Sequence, residues 1–568
     1  MPSSSLSIST RNSAVDKQRC FEENLHGLAK TDPALCTRIR AAHTTPNQYT
    51  FLESRSGECI PVLLDPKGTA HALHSQVDPQ REGSRLMTTL KDEGFLIFLG
   101  LGGGYTVAAA LEREETQVVV VIDYNLGGIA ELLGAKDYRR LLEDPRFHLL
   151  VDPGEGEIEQ SILNWYQPTL AGGIRVLPLR PRTEGDPVRF DKARTAIQEA
   201  LDLVAGDYSV QAHFGARWFS NILRNLLHGE VPDGPIPPIR CAAITAAGPS
   251  LDLQLPRLAA RRAEVFLIAV DTSLPSLLQA GLEPDAVISI DCQHISYYHF
   301  MAGLPAHIPL YLDLASPPVV ASCAAQTRFF SGGHPLTRYI SRHWRPLPEL
   351  DSSGGNVTYA ALSLAESLGA EQVELYGADF SYPQGRTYAR GTYIYPFFEI
   401  RQTRLAPLES LHSAFLFRSP SLTRIDRKDT WYYETKGLTQ YRRRLEEKAR
   451  LISAAVLPIP GQGAPLDIKH AFSPPETPHP ISFAPGRPAM KATDFLKTYR
   501  KQIRTLPAPK GSASVYLQHL QGEERIILTT MLPLAAALQH RQPGIRTTEL
   551  LEAVRTACLK ALDTVLTE

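Results

Sequence analysis

The sequence has no long apolar run, almost no net charge and no paired cysteines, and each absence removes a class of function. No apolar stretch approaches the ~20 residues that a membrane helix needs, so no membrane span is expected. The first ten residues are Ser-rich and lack the charged-then-apolar layout of a secretion signal. Lysine and arginine total 59 against 60 acidic residues, a formal charge of -1, so no broad positive field draws the chain to nucleic acid or to an anionic membrane. One basic run, Arg442-Arg443-Arg444, reads as a solvated helix face. The seven cysteines, Cys20, Cys36, Cys59, Cys241, Cys292, Cys323 and Cys558, are scattered, odd in number and free of any CxxC pair. That usage fits a reducing, cytoplasmic compartment.

What is present is a globular balance: 43% apolar and 21% charged among 568 residues. The length predicts roughly three or four structural units. After a polar start and a short helix, residues 48–74 alternate apolar and polar side chains between a Ser-Gly turn and a Lys67-Gly68 turn. This predicts a small β-meander. Residues 94–99 and 118–122 are continuous apolar runs, the mark of buried parallel strands. Between them lie the glycine loop Gly100-Leu101-Gly102-Gly103-Gly104-Tyr105 and a helix at 106–112. A proline-rich hinge at 230–238 marks a boundary. Beyond it, strands at 242–245, 265–270, 286–290, 310–312 and 373–376 lead into a glycine turn, Asp271, Asp291, Asp313 and Gly377. Residues 461–488 are rich in Pro and Gly and read as a linker. Residues 491–568 read as a helical bundle, with a break or kink at Pro533. The fold class is therefore α/β: two Rossmann-like parallel-sheet domains, at 1–230 and 236–460, then a linker at 461–490 and a C-terminal helical region at 491–568.

Four motifs sit where ligands are bound in such sheets. In the first, Gly100–Gly104 with Asp123 matches the layout in which backbone and carboxylate hold a phosphate and a ribose; a tight structural turn explains it equally. In the second, Gly248 permits close approach, Pro249 fixes the turn, and Ser250 can bond a phosphate or cap the next helix. The third, Asp351-Ser352-Ser353-Gly354-Gly355-Asn356, opens an apolar helix with hydroxyls and free N–H groups. The fourth runs from Gly377 to Gly391 and holds Asp379, Tyr382 and Tyr388 in a polar loop at a strand's end.

In this order, AGPSL, AVDTSL, PDAVISIDCQH, SSGGNV and GADFSYPQGRTYARG resemble the central domain of the motility accessory factor family, bacterial flagellin glycosyltransferases of the nonulosonic acid type. Leu73-His74-Ser75 with Asp78-Pro79 and Glu82, the GLGGGY loop, and Phe214-Gly215 with Trp218, Asn221 and Asn225-Leu226 resemble the same family's N-terminal part. The blocks span roughly residues 45–400. The central domain is also similar to bacterial sialyltransferases. That resemblance implies that Gly248, Pro249, Ser250, Ser353, Gly354 and Gly355 face a nucleotide and that Tyr382 and Tyr388 bond the departing phosphate. It implies a CMP-activated nonulosonic acid as donor and Ser or Thr of flagellin, or of another flagellar protein, as acceptor.

Three departures stand out. Asparagines of the sialyltransferases are replaced here by Ala247, Asp271 and Asp291, and their general-base histidine falls on Thr435. The base is then sought among Glu434, Asp379 and His294. Asp271 and Asp291, ending parallel strands, are also the residues that would hold Mg²⁺. Archaeal pterin pyrophosphokinases (MptE) are similar in this domain and its aspartates, which gives an alternative: Mg-dependent pyrophosphate transfer to 6-hydroxymethylpterin or a similar alcohol. A further alternative is a non-catalytic flagellin-binding protein that keeps the fold without the base.

Overall fold

A computed structural model describes residues 14–42, 49–64, 69–228, 238–427, 430–468 and 488–567. The polar start, the Lys67-Gly68 turn, the hinge at 230–237 and residues 469–487 of the Pro/Gly-rich segment lie outside the described residues. The chain divides into two compact units. One draws on residues up to His213 with Pro507–Arg525 and Ala535–Val554; the other draws on Phe214–Leu506, Ile526–Leu534 and the residues from Arg555.

In the first unit, β1 (Tyr49–Glu53), β2 (Cys59–Leu64) and β3 (Ala70–Ala72) form the expected antiparallel meander. β4 (Glu93–Leu99), β5 (Val118–Asp123), β6 (Phe147–Val151) and β7 (Gly173–Pro178) form a parallel sheet in the order β6-β5-β4-β7. These strands are apolar throughout because both faces are covered. Leu96, Phe98, Val119 and Val121 pack with helix residues Ala110, Ile129 and Leu133. Phe95, Ile97, Val120 and Ile122 pack on the other side with Ile158, Ile162 and Phe190.

The glycine loop after β4 is filled by the chain's own side chains. Asp123 Oδ2 accepts the Leu101 N–H at 2.8 Å, and Asp123 Oδ1 pairs with Arg182 Nε at 2.9 Å. His74 Nε2 accepts the Gly103 N–H at 2.9 Å, and the Tyr138 hydroxyl donates to the Gly102 carbonyl at 2.9 Å. A Cβ on Gly100 or Gly102 would run into Arg182, His74 or Leu179. The carboxylate that would bind a ribose is therefore committed to Arg182. The His74 and Glu82 of the N-terminal motif hold the loop, with His74 Nδ1 3.6 Å from the Glu82 carboxylate.

In the second unit, β8 (Cys241–Thr245), β9 (Phe266–Val270), β10 (Ala286–Ser289), β11 (Leu310–Asp313), β12 (Thr327–Phe330) and β13 (Gln372–Tyr376) belong to one parallel sheet. The loop after β13 contributes β14 (Tyr382–Pro383), β15 (Thr423–Asp426) and β16 (Trp431–Glu434), a small antiparallel sheet ordered β14-β16-β15. β17 (Ala455–Pro458) completes the large sheet, whose order is β12-β11-β10-β9-β8-β13-β17. Strands β6 and β7 of the first unit, β12 and β17, and the small sheet are additions to the sequence reading. Helix Ala492–Thr505 packs on helix Pro335–His343, with the Tyr339 hydroxyl 2.8 Å from Gln502 Oε1. Helix Gly522–Arg541 continues through Pro533; the interruption falls at Leu520 and Gln521 instead. The Pro533 carbonyl lies where a side chain at residue 215 would sit, so Gly215 alone fits there. Among the described residues no helix is long and apolar enough to cross a membrane.

The Asp123–Arg182 pair is fully buried, so losing one partner leaves the other charge uncompensated. Arg182→Ala is expected to lower unfolding stability by about 3–5 kcal/mol in denaturant titration. Nicotinamide dinucleotides or a sulfonium methyl donor are expected to leave the wild-type melting temperature unchanged.

Candidate active site

The large sheet begins at β8 and grows one way through β9 to β12 and the other way through β13 and β17. Strand order reverses between β8 and β13, and in such sheets ligands sit outside the carboxyl ends of the strands at the reversal. Gly248, Pro249 and Ser250 follow β8 and Asp379 follows β13, so both motifs meet there. The Gly248 N–H donates to the Gly377 carbonyl at 2.9 Å. A Cβ on Gly248 would strike that carbonyl and the Asp379 carboxylate. Ser250 then donates twice to Asp379, from Oγ to Oδ1 at 2.5 Å and from N–H to Oδ2 at 2.8 Å. Ser250 Oγ accepts the Gln462 N–H at 2.7 Å, and the Asp379 carbonyl accepts the Ala464 N–H at 3.0 Å. Residues 461–464, at the start of the segment read as a linker, thus belong to this clamp. Burial pushes the Asp379 carboxyl up, against the hydrogen bonds from Ser250 and Gly463. A nucleotide contact by the Ser250 side chain, or proton transfer by Asp379, would have to break the clamp.

Asp271, Asp291 and Asp313 lie at the carboxyl ends of the adjacent strands β9, β10 and β11. Asp271 Oδ1 accepts the Thr272 N–H at 2.6 Å and its hydroxyl at 3.0 Å, and Oδ2 accepts the Ser289 hydroxyl at 2.6 Å. Burial pushes Asp291 up, and the Asp271 charge adds to this against the Gln293 N–H. Burial also pushes Asp313 up to about 7, against the Ala315 N–H. Asn221 donates to the Cys292 and Ala315 carbonyls at 3.2 and 2.9 Å, and Asn225 to the Leu314 and Ser316 carbonyls at 2.9 and 2.8 Å. The two asparagines hold the loops that follow Asp291 and Asp313.

Sequence reasoning singled out His294 and missed His299, which shares the turn His294–Phe300. His294 is exposed beside Tyr297. His299 is buried, with Nε2 3.4 Å from Thr272 Oγ1, its ring 4.7 Å from that of Tyr393, and its Nδ1 without a partner among the described residues. Its chain position matches that of His294; only the turn's geometry separates them. Among the described residues no three His, Cys, Asp or Glu side chains come close enough to hold a metal. Both Asp271 oxygens already accept hydrogen bonds, so Mg²⁺ on the Asp271–Asp291 pair would depend on oxygens from a bound phosphate.

Tyr382 and Tyr388 face this edge from the loop after β13. Burial pushes both phenols up, and the Arg418 charge counters it at each. Tyr393 joins them, its ring 6.1 Å from that of Tyr388. Its phenol is pushed up by burial, lowered by Arg418, and raised further by the charges of Asp271 and Asp291. The Arg418 charge thus acts on all three phenols, and the Asp271 charge on Tyr388 and Tyr393.

The remaining candidates are placed as follows. Ser353 donates from Oγ and N–H to Asp351 Oδ1 at 2.7 and 3.0 Å, yet stays exposed with Gly355. Gly354 lies against the Tyr359 ring, where no Cβ fits, and Asn356 caps helix Val357–Ser367. Thr435 is the N-cap of helix Lys436–Leu451, its Oγ1 accepting the Leu438 N–H at 3.2 Å. Glu434 is paired with Arg442 at 3.3 Å and accepts the Thr439 hydroxyl at 3.3 Å. Arg444 donates to the Ser353 carbonyl at 3.1 Å. The arginine run read as a solvated face is thus engaged at Arg442 and Arg444, and exposed at Arg443.

Two substitutions test this geometry. Asp379→Ala strands the buried Ser250 donors and is expected to cost about 2–5 kcal/mol in denaturant unfolding; an unchanged midpoint would remove the clamp. Asp313, raised in the folded state, stabilises fully below its unfolded pKa of ~4 and loses that contribution as pH rises to about 7. Asp313→Asn is expected to gain stability on wild type across that window, by at most on the order of 4 kcal/mol, and then hold a constant difference.

A family model described as 6-hydroxymethylpterin diphosphokinase MptE-like matches residues 221–385. An uncharacterised protein of Treponema pallidum (strain Nichols) is 33% identical over 172 residues, which span 30% of this chain and 82% of that protein. A second one from the same organism is 35% identical over 158 residues, 26% of this chain and 54% of its own length. The solved structure of MAf glycosyltransferase from Magnetospirillum magneticum AMB-1 matches with a TM-score of 0.57 at 14% identity, over 97% of this chain and 96% of that one, and so shares its fold. The chain belongs to one family with the first of these Treponema pallidum proteins, and its MptE-like segment and MAf fold support the motility accessory factor family that its motifs resemble.

Proposed function

We propose that the chain is a cytoplasmic glycosyltransferase that moves a nonulosonic, sialic-acid-like sugar from a CMP-activated donor to Ser or Thr of a flagellar protein. The observation that carries this is that Tyr388 and Tyr393, with rings 6.1 Å apart, lie within reach of the Asp271 charge beyond the carboxyl ends of the parallel strands, with Tyr382 beside Tyr388. The bond from the sugar's anomeric carbon to the phosphate oxygen breaks, and CMP leaves with the electron pair. The two phenols, kept protonated by burial, donate to the phosphate as its charge grows. Carboxylates opposite suit the oxocarbenium-like centre left behind. The acceptor hydroxyl forms the new bond to that carbon and gives up its proton. With Asp379 clamped, Glu434 paired and Thr435 a helix cap, His299 is the side chain we assign to take it. The exposed Ser353 and Gly355 are the part left for the nucleotide.

The MptE-like match supports a second reading, pyrophosphate transfer from ATP with Mg²⁺ held by Asp271, Asp291 and the nucleotide's own phosphates. Titration with CMP, and with ATP plus Mg²⁺, separates the two. Tyr382→Phe with Tyr388→Phe, and separately His299→Gln, are each expected to lower turnover by about 100-fold or more while CMP affinity changes little. Full turnover in either variant would remove the role. Mass spectrometry of flagellin from a deletion strain is expected to show the loss of a sugar residue mass.

A further inference from the structure

Of the three aspartates that follow one another along the strand ends, Asp313 has no part in the reaction as drawn. It is 7% exposed, and its Oδ1 accepts the Ala315 N–H at 2.8 Å. Its Oδ2 has no hydrogen-bond donor and no ion pair among the described residues. Asp291 differs, because its carboxyl shares its surroundings with Asp271 and His299.

The free oxygen of Asp313 faces a built turn. Past Phe330, β12 is prolonged by a parallel bridge between Ser331 and Glu349. The Ser331 N–H donates to the Pro348 carbonyl at 2.8 Å, and the Leu350 N–H to the Ser331 carbonyl at 3.0 Å. This pairing sets Ser352 beside Gly332, whose carbonyl accepts the Ser352 hydroxyl at 3.3 Å. A Cβ on Gly332 would strike both Asp313 Oδ2 and Ser352 Oγ, so the two oxygens flank one point. Asp351 fastens the turn from behind. Its carboxylate accepts the Ser353 N–H and hydroxyl and the Tyr359 hydroxyl, and its carbonyl accepts the Ser363 hydroxyl at 2.9 Å.

With its proton committed to Gly332, the Ser352 hydroxyl is left to accept, and Asp313 Oδ2 has lone pairs to fill. Two acceptors side by side repel a phosphate or a carboxylate and match a pair of neutral O–H donors. A carboxylate at a strand's carboxyl end is the group that binds ribose hydroxyls in sheets of this kind. A buried acceptor without a donor is costly, and a ligand that supplies one recovers that cost. β11 lies two strands from β9, roughly 10 Å across the sheet, a separation on the scale of one nucleotide. A phosphate leaving near Asp271 therefore puts its ribose near Asp313, with the exposed Ser353 and Gly355 of the same turn beside it.

We propose that Asp313 Oδ2 and Ser352 Oγ form a subsite for the 2′,3′-diol of the nucleotide's ribose. The proposal deepens the transferase reading and rests on it for the place of the phosphate. The subsite itself selects a ribonucleotide over its deoxy form, whichever base it carries.

The test is calorimetric titration of the full chain and of its Asp313→Asn and Ser352→Ala variants. The ligands are CMP, 2′,3′-dideoxy-CMP and UMP, and ATP and 2′,3′-dideoxy-ATP with Mg²⁺. Asp313→Asn keeps the acceptor for Ala315 and replaces the free acceptor by a donor; thermal melts check that both variants fold. Wild type is expected to bind CMP on the order of 10- to 100-fold more tightly than its dideoxy form. Asp313→Asn is expected to bring that ratio to within about threefold, with dideoxy-CMP bound as by wild type, and Ser352→Ala to fall between. If CMP fails to bind while ATP exceeds dideoxy-ATP in an Asp313-dependent way, the subsite stands and the transferase reading falls. If wild type binds CMP and dideoxy-CMP equally, or Asp313→Asn keeps the wild-type ratio, the subsite falls and the transferase reading survives. A variant that levels CMP with UMP and leaves the dideoxy ratio intact assigns Asp313 to the base and overturns the diol. Failure of wild type to bind any of the nucleotides overturns the subsite.

Discussion

The candidate site depends on one buried carboxylate. Asp379, 4% exposed, takes two hydrogen bonds from Ser250 and fixes the turn after β8 against the loop after β13. Those two loops leave the sheet where its order reverses, and the bonds between them hold them together there. Residues 461–464 close the same knot from a third part of the chain. Burying a carboxylate is costly unless its oxygens are satisfied, and here backbone and hydroxyl donors satisfy them. A group so completely engaged gives rigidity to its neighbours at the expense of its own reactivity. On the proposed reading, therefore, the tyrosines three and nine residues further on, and not Asp379, act on the donor.

Carboxylates and phenols meet beyond the strand ends: Asp271 and Asp291 follow β9 and β10, and the Tyr393 phenol feels both their charges and that of Arg418. On the proposed transferase reading, a donor leaving as phosphate separates charge, cationic at carbon and anionic at oxygen, and groups polarised beforehand stabilise that separation without reorganising. Asn221 and Asn225 serve this arrangement from outside the sheet. They bind carbonyls on the loops after Asp291 and Asp313, so the motif residues at the end of the long helix act on the placement of the aspartates.

Strands with continuous apolar runs were legible because burial on both faces leaves no alternation to confuse them. β12 was not, since Thr327 and Arg328 begin it, and β17 lies beyond the last motif. The small sheet β14-β16-β15 was missed because its first strand is two residues long and its partners lie some fifty residues on. In the site, the tyrosines and aspartates were legible from residue type at strand ends. His299 was not: along the chain it is one of two histidines in QHISYYHF, and only the 3-10 turn buries it against Thr272 while leaving His294 outside.

The two parallel sheets make a natural control for each other. Both place a glycine turn after their first strand and a carboxylate at the end of the next. In the first unit Asp123 is neutralised by Arg182, the glycine N–H groups are capped by Asp123 and His74, and side chains fill the space above them. In the second unit the carboxylates at the ends of β9 and β10 have no arginine of this kind, and His299 Nδ1 goes unpartnered among the described residues. The same backbone pattern therefore carries a filled turn in one case and, on the proposed reading, a ligand-binding edge in the other. The deciding factor is whether the surrounding side chains spend their hydrogen bonds on the loop or hold them in reserve.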